Sequence, residues 1–476
     1  MNQRHKALQA SALPTELQNH VSSLYHRYAI IKSMKKINTA PISGAQELSP
    51  SEQAKFDYLK GLIAASFRRH GFVNIETPTI ERTEVLLAKA GGETEKQIYR
   101  VIKTSSAETN NKESLRFDHT VPLARYVVEH ENELSFPLKA SQIGLDFRGE
   151  RAQKGRFREF YQCDIDVVGR GELPLAYDAD VIATLFETIL DFKLDTPVLA
   201  RVSNRKILTG LLQALDLEDK SKEIFGVIDH AEKVTPEQTK VSLEELGLSK
   251  EATQKLISFM DLSGDREAVI SELGNLEIEN EIFDSGVNEL DQVLYILEST
   301  GLKNQAIADM KIVRGLDYYT GTVFEFVLPE HKNIGSICGG GRYDSLTKYF
   351  TERPFPGVGG SIGLTRLFFV LNEQGLIKNQ NHLQDYAVIP ISEHEYDEAM
   401  NVAAKLRHKN YSTTVVFAGK NLGAKMTHAT KVAKNAIVIG EEEIGAQALK
   451  AKNFETGETS EININVESNP EDFWSD

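Results

Sequence analysis

Arginines give way to aspartates across residues 147–169, FRGERAQKGRFREFYQCDIDVVG, a pattern able to hold an anion at one end and a cation at the other. Arg148, Arg151, Lys154, Arg156 and Arg158 crowd the first half, opposed there only by Glu150 and Glu159. Guanidinium forks meet phosphate or carboxylate oxygens in pairs, so arginines held by a turn suit those groups. Asp164 and Asp166 follow one short run later and are placed to receive a positive group. A zwitterion or a nucleotide fits such a site. A solvated basic hairpin that binds nucleic acid nonspecifically is the competing reading.

Three further clusters could carry chemistry. In IVRGLDYYTGTVFEF, Arg314 precedes Tyr318 and Tyr319, whose hydroxyls donate or accept while their rings supply area. Taken alone, that tyrosine pair fits a half-buried strand better than a pocket. CGGGRYD sets three glycines before Arg342, Tyr343 and Asp344. Consecutive glycines let backbone approach a ligand, but they also serve turns and bulges. The last cluster is GVGGSIGLTRL. A dinucleotide loop starting at Gly357 needs glycine at 362, where Ile362 stands, and no GxxxxGK[ST] loop occurs. A glycine strand feeding a helix that bears Arg366 is still compatible with ATP gripped by arginine.

Specific elements must position these groups. Two strand-like runs joined by Lys154-Gly155 predict an antiparallel hairpin with a cationic tip. Ser49-Pro50 predicts a helix through Phe56, Leu59, Ile63 and Phe67, stopped at His70-Gly71. FVNIETPTIE reads as a strand interrupted at Pro78, and residues 115–130 as a strand entering a helix with Thr120 as N-cap. Residues 177–192 read as a helix and TPVLARVSN as a strand. From 206 to 304 the Leu, Glu, Lys and Ser content predicts a helical insertion domain. Residues 1–40 form a polar extension with Leu17, Val21, Leu24, Tyr25 and Tyr28 at helical spacing. After a linker at 374–384, strands and helices alternate, predicting a small α/β domain over 385–468.

The 476-residue length predicts two or three domains, and 41% hydrophobic with 26% charged residues is ordinary for a globular chain. No run of about 18 apolar residues exists, so a membrane span is excluded, and the N-terminus lacks a secretory core. Two cysteines, Cys163 and Cys338, offer neither a disulfide framework nor a CxxC metal site, which points to a reducing cytoplasm. A net charge of −15 argues against coating nucleic acid through bulk charge, though not against a local basic surface.

FRGERAQKGRFREF resembles motif 2 of the class II aminoacyl-tRNA synthetases, and GVGGSIGLTRL resembles motif 3. RGLDYYTGTVFE and GGGRYD are similar to the two signature peptides of the histidine-specific family within that class. The resemblance spans about 41–205 and 305–375, together with a C-terminal part like that family's anticodon-binding domain. It implies an α+β fold: a catalytic core of antiparallel sheet flanked by helices, a helical insertion, and a homodimer formed partly through the region around Pro78. It implies ATP with Mg2+, L-histidine and histidine tRNA as substrates and partners, with no membrane and no other metal.

The resemblance also implies roles. Arg148 and Arg314 would be catalytic, touching the α-phosphate and the carboxylate; Arg366 and Arg156 would grip the outer phosphates. Glu150 would contact adenine, with Phe160 stacked on the ring. Asp166 and Tyr319 match positions that read the imidazole, and Asp118, Thr120 and Gln162 match those that hold the α-amino group. His119, Tyr318, Tyr343 and Gly359 complete the implied histidine site. Arg151 and Gln153 are the candidates for reading the tRNA acceptor end. Where many bacterial members carry Glu-Gly-Thr this chain has Asp118-His119-Thr120, with Asp166 in place of Glu and Ala152 in place of Pro. Each Asp shortens the carboxylate's reach by one methylene. An inactive paralogue serving as a regulatory subunit of histidine biosynthesis is the alternative; the retained arginines, tyrosines and C-terminal domain favour the ligase.

Overall fold

The structure is a computed structural model that describes residues 38–88, 92–103, 112–151, 155–313, 319–377, 384–446 and 448–464. The N-terminal helical reading at 17–28 lies outside them. The elements below belong to the unit Gly44–Asp476.

Helix α1 (Pro50–Arg69) begins where its caps dictate: the Ser49 side chain accepts from the Glu52 amide, the Glu52 carboxylate returns to the Ser49 amide, and Pro50 follows. Phe56, Leu59, Ile63 and Phe67 recur at helical spacing and are buried. Beyond it β1 (Val73–Asn74) and β2 (Ile80–Arg82) lie on either side of Pro78, as an imino residue without a ladder donor requires. β2 pairs with β3 (Glu113–Leu115), which leads into helix α2 (Thr120–Glu129). Thr120 is not the N-cap: it is the first helical residue, and the Asp118 carboxylate instead accepts from the Val121 amide at 3.0 Å. A carboxylate is the better acceptor at the positive end of a helix.

β4 (Leu138–Phe147) and β5 (Glu159–Val168) form the antiparallel pair, in register from Leu138 opposite Val168 to Phe147 opposite Glu159. They are joined by the long connection 148–158 rather than a two-residue turn. Helix α3 (Ala176–Leu190) then crosses to β6 (Leu199–Asn204). Helices α4 (Arg205–Ala214) and α5 (Glu281–Leu297) bracket the acidic helical segment, which contains the short strand β7 (Ser263–Gly264). β8 (Ala306–Asp309), β9 (Thr322–Val327), β10 (Cys338–Tyr343) and β11 (Gly357–Ile362) follow, and α6 (Leu364–Glu373) closes the core.

Among the described residues these strands make a nine-stranded sheet, ordered β1-β4-β5-β11-β10-β9-β6-β8-β7. The expected antiparallel arrangement holds through its centre, but β1–β4 and β6–β8 run parallel, so the sheet is mixed. Parallel neighbours need a long crossover, and the helices between β6 and β8 provide one. Ile207, Leu211, Phe283 and Leu290 of that segment share one continuous core with Leu185, Val202, Phe324 and Phe326.

Strand alternation separates two neighbours in GGGRYD. Tyr343 faces the cleft described below. Arg342 points the other way, its Nη2 donating to Asp178 Oδ1 on α3 at 2.7 Å and to the Leu173 carbonyl at 3.1 Å. Its role is to tie the sheet to α3. Arg342→Ala leaves the Asp178 carboxylate, 0% exposed, buried without its cation. That variant should lose about 3–5 kcal/mol of stability, read as a lowered melting temperature. Arg342→Met with Asp178→Asn should recover most of it.

The C-terminal segment builds its own sheet, ordered β13-β12-β14-β15-β16. β12 (Gln384–Pro390), β13 (Thr413–Val415) and β14 (Ala433–Ile439) are parallel; β15 (Ala448–Asn453) and β16 (Thr459–Asn463) extend it antiparallel. β12 is apolar on both faces because it is covered on both. Val388 packs with Ala399, Val402 and Leu406 of α7 (Tyr396–His408), while Ala387 and Ile389 pack with Ala429 of α8 (Leu422–Val432).

Candidate active site

A cleft of about 470 Å³ opens over β5, β10 and β11. Phe160, Gln162, Asp164 and Asp166 sit at alternate positions of β5, so one strand face supplies an aromatic ring, an amide and two carboxylates to the same wall. Tyr319, Tyr343, Gly359, Asp118, Thr120 and Arg148 also line it, as do Glu150, Arg156 and Arg366 at its other end.

Arg148 is held before any substrate arrives. Its guanidinium lies over the Phe117 ring at 4.6 Å and the Phe160 ring at 5.0 Å. Its Nε donates to the Phe117 carbonyl at 3.3 Å and its Nη2 to Gln162 Oε1 at 3.1 Å. Two aromatic faces and two acceptors fix a planar cation, aimed into a cleft that also holds carboxylates.

At the opposite end Asp166 is 4% exposed and accepts from the Tyr343 hydroxyl at 2.7 Å. Burial pushes its carboxyl up to about 7; the Tyr343 hydrogen bond opposes this, and the Asp164 charge adds to it. Gly359 lies directly across the ladder from Asp166. A Cβ there would fall 2.0 Å from Asp166 Oδ1 and 2.7 Å from the Ile165 carbonyl oxygen, so only glycine leaves room for the carboxylate. Gly359→Ala should displace the Asp166 carboxylate and strain the β5–β11 pairing at Ile165, lowering the melting temperature and weakening any ligand that reaches Asp166 by roughly 100-fold in KM.

The cationic end is more open. Arg156 pairs with Glu150 at 3.2 Å, and Arg366, on the exposed face of α6, donates to the Ile334 carbonyl at 3.1 Å. Burial raises the Asp118 carboxyl above its ordinary range, while its bond from the Val121 amide and the charge of Arg148 hold it down. His119 is placed differently from the other expected ligand-binding residues. It is 1% exposed and lies behind the wall, its Nδ1 3.4 Å from Asp164 Oδ2 and 3.7 Å from Asp146 Oδ2. Burial lowers its imidazole, but Asp146 and Asp164 outweigh that and the net shift is upward. Asp146, wholly buried, is raised by burial to about 7.

The structure thus brings together Asp118, Thr120, Arg148, Glu150, Arg156, Phe160, Gln162, Asp166, Tyr319, Tyr343, Gly359 and Arg366. Arg151 is exposed on the connection between β4 and β5 and is not part of the wall. Arg314, Tyr318 and Gln153 lie outside the described residues. Asp164 was expected only to receive a positive group together with Asp166, and Ser361 had no role assigned from sequence; both line the wall. Asp164 carried a signal, since it shares the alternation of Gln162 and Asp166; Ser361 carried none, because its partners appear only when β11 pairs with β5. Among the described residues no group of three or more His, Cys, Asp or Glu is arranged to hold a metal ion.

Residues 44–367 match the family model described as histidyl-tRNA synthetase, and residues 385–466 match the anticodon binding domain model. The histidine–tRNA ligase of Clostridium tetani is 42% identical over 438 residues, covering 90% of this chain and 98% of that one. That of Stenotrophomonas maltophilia is 37% identical, covering 88% and 94%. Among solved structures, the histidyl-tRNA synthetase of Nostoc sp. PCC 7120 superposes with a TM-score of 0.80 at 36% identity, over 90% of this chain and 97% of that one. A Bacillus halodurans chain described as an ATP phosphoribosyltransferase regulatory subunit/histidyl-tRNA synthetase shares the fold, with a TM-score of 0.70 at 21% identity over 85% and 100%.

Proposed function

Because this chain belongs to the histidyl-tRNA synthetase family, we propose that it is a histidine–tRNA ligase, activating L-histidine with Mg-ATP to histidyl-adenylate and passing the histidyl group to the 3′ end of its tRNA. The observation that carries this reading is the division of one cleft. An acid and a phenol, Asp166 and Tyr343, stand at one end, fixed arginines at the other, and Gln162 and Asp118 between them.

Histidine enters with its imidazole toward Asp166, Tyr319 and Tyr343, and its α-ammonium toward Asp118, Thr120 and Gln162. That orientation brings the carboxylate to Arg148. In the first step a carboxylate oxygen attacks the α-phosphorus of ATP in line; the new C–O–P bond forms as the bond to the β-phosphate oxygen breaks, and pyrophosphate leaves. Negative charge grows on the phosphoryl oxygens, where Arg148 is already aimed, so little reorganisation accompanies the reaction. Arg314 is assigned to the same charge, and Arg156 and Arg366 to the outer phosphates. Phe160 offers its ring to the adenine and Glu150 its carboxylate. In the second step a ribose hydroxyl of the terminal adenosine attacks the acyl carbon and AMP departs.

Tyr318 belongs to the histidine site in this reading, and Arg151 and Gln153 to the tRNA acceptor end. The catalytic core comprises 41–205 and 305–375, with 206–304 as the insertion and 385–468 as the anticodon-binding domain. A homodimer is supported by apolar Val73 and Ile80 around Pro78, 62% and 49% exposed on short strands. A cytoplasmic setting fits the two buried free thiols, Cys163 and Cys338; among the described residues no helix is long and apolar enough to cross a membrane.

Histidine-dependent exchange of pyrophosphate into ATP tests the reading directly. Purified, folded protein should exchange label with histidine and not with threonine or proline; exchange without amino-acid selectivity, or none at all, overturns it.

A further inference from the structure

The cleft wall contains a chain of hydrogen bonds with a fixed polarity. Asp164 and Ser361 face each other across the β5–β11 ladder, and the Ser361 hydroxyl donates to Asp164 Oδ1. A carboxylate accepts only, so the single Ser361 proton is committed there. The Ser361 oxygen is then left as an acceptor, and Gln162 Nε2 donates to it at 2.5 Å. With its NH2 group so engaged, the Gln162 amide must turn Oε1 toward Arg148, whose Nη2 donates to it at 3.1 Å. The flipped amide would press donors against the guanidinium. Behind the wall, Asp164 Oδ2 is steadied by His119 Nδ1 at 3.4 Å.

We propose that Asp164 and Ser361 are positioning residues for substrate recognition: together they lock the Gln162 amide with its oxygen toward the cleft, where it accepts from the substrate's α-ammonium group. This rests on the histidine-ligase reading above. Neither residue touches the reacting atoms. Without the lock the amide rotates between two orientations, one of which presents a donor to a cation and weakens binding of any ligand that carries the ammonium.

The experiment uses the full chain and four ligands: histidine, ATP, histidinol and imidazolepropionate. Histidinol keeps the ammonium and lacks the carboxylate; imidazolepropionate keeps the carboxylate and lacks the ammonium. Ser361→Ala should raise the histidine KM and the histidinol inhibition constant about tenfold each. The ATP KM and the imidazolepropionate inhibition constant should change less than about twofold. Ser361→Thr, which keeps the hydroxyl, should recover most of the loss. Asp164→Asn should show the same pattern at smaller size and carries the test if Ser361→Ala does not fold. An unchanged histidine KM, equal weakening of imidazolepropionate, or failure of Ser361→Thr to recover binding overturns the proposal. Absence of histidine-dependent exchange in the unsubstituted protein would instead overturn the ligase reading, so the two failures are distinct.

Discussion

Arg148→Ala should lower histidine-dependent pyrophosphate exchange by about 10³-fold or more, mostly in kcat. The side chain is held between Phe117 and Phe160 with acceptors at Nε and Nη2, so its charge is in place before the phosphorus is attacked. Removing a preorganised donor to a developing negative charge costs more in the transition state than in the ground state. The histidine KM should rise less than kcat falls. Arg148→Lys should recover little, because an ammonium cannot lie flat between two rings and serve Gln162 and the phosphate together. Stability should fall only modestly, since the guanidinium is half-buried and no buried acid depends on it alone. Retention of more than about a tenth of the exchange rate would remove Arg148 from the chemical step.

Asp166→Asn should act on binding and on stability in opposite directions. A carboxamide keeps an acceptor for the Tyr343 hydroxyl but loses the charge that an imidazole N–H would meet. The histidine KM should therefore rise roughly 10- to 100-fold while the ATP KM stays within about twofold. In the ligand-free protein the same change should stabilise. Asp166 has an ordinary value of 3.8 and is held near 7 by burial in the fold. Below pH 4 the carboxyl is protonated in both states and contributes no difference. Between about 4 and 7 the unfolded chain releases the proton and the folded chain keeps it, so native stability is lost as the pH rises, levelling above 7. The melting temperature of Asp166→Asn should exceed that of the unsubstituted protein by a margin that grows from pH 5 to pH 8. The gain should reach on the order of 2 kcal/mol. A margin independent of pH would mean that Asp166 is ionised throughout, and the imidazole cradle would need a different acid.

The family membership, the order of the motifs and much of the cleft were legible in the amino-acid order because those signals are local. Alternation along β5 already sets Phe160, Gln162, Asp164 and Asp166 on one face. Ser49, Glu52 and Pro50 start α1 by bonds no more than one turn away. The two-sided apolar character of β12 likewise announces a covered strand.

What the tertiary structure alone decided is which of these groups meet. Arg342 and Tyr343 are neighbours in one motif, yet the pleat sends Tyr343 to Asp166 and Arg342 to Asp178 on the far side of the sheet. Thr120 looked like a cap until Asp118, the stronger acceptor, took the amide of Val121. His119 sits between two cleft-lining residues in sequence but turns behind the wall, where Asp146 and Asp164 surround it. Ser361 acquires its role only because β11 pairs with β5 in a register that sets it opposite Asp164 and Gly359 opposite Asp166. Residue order determines which way a side chain faces along its own strand; pairing register joins strands distant in sequence, and a slip of one residue would give every wall residue a different partner.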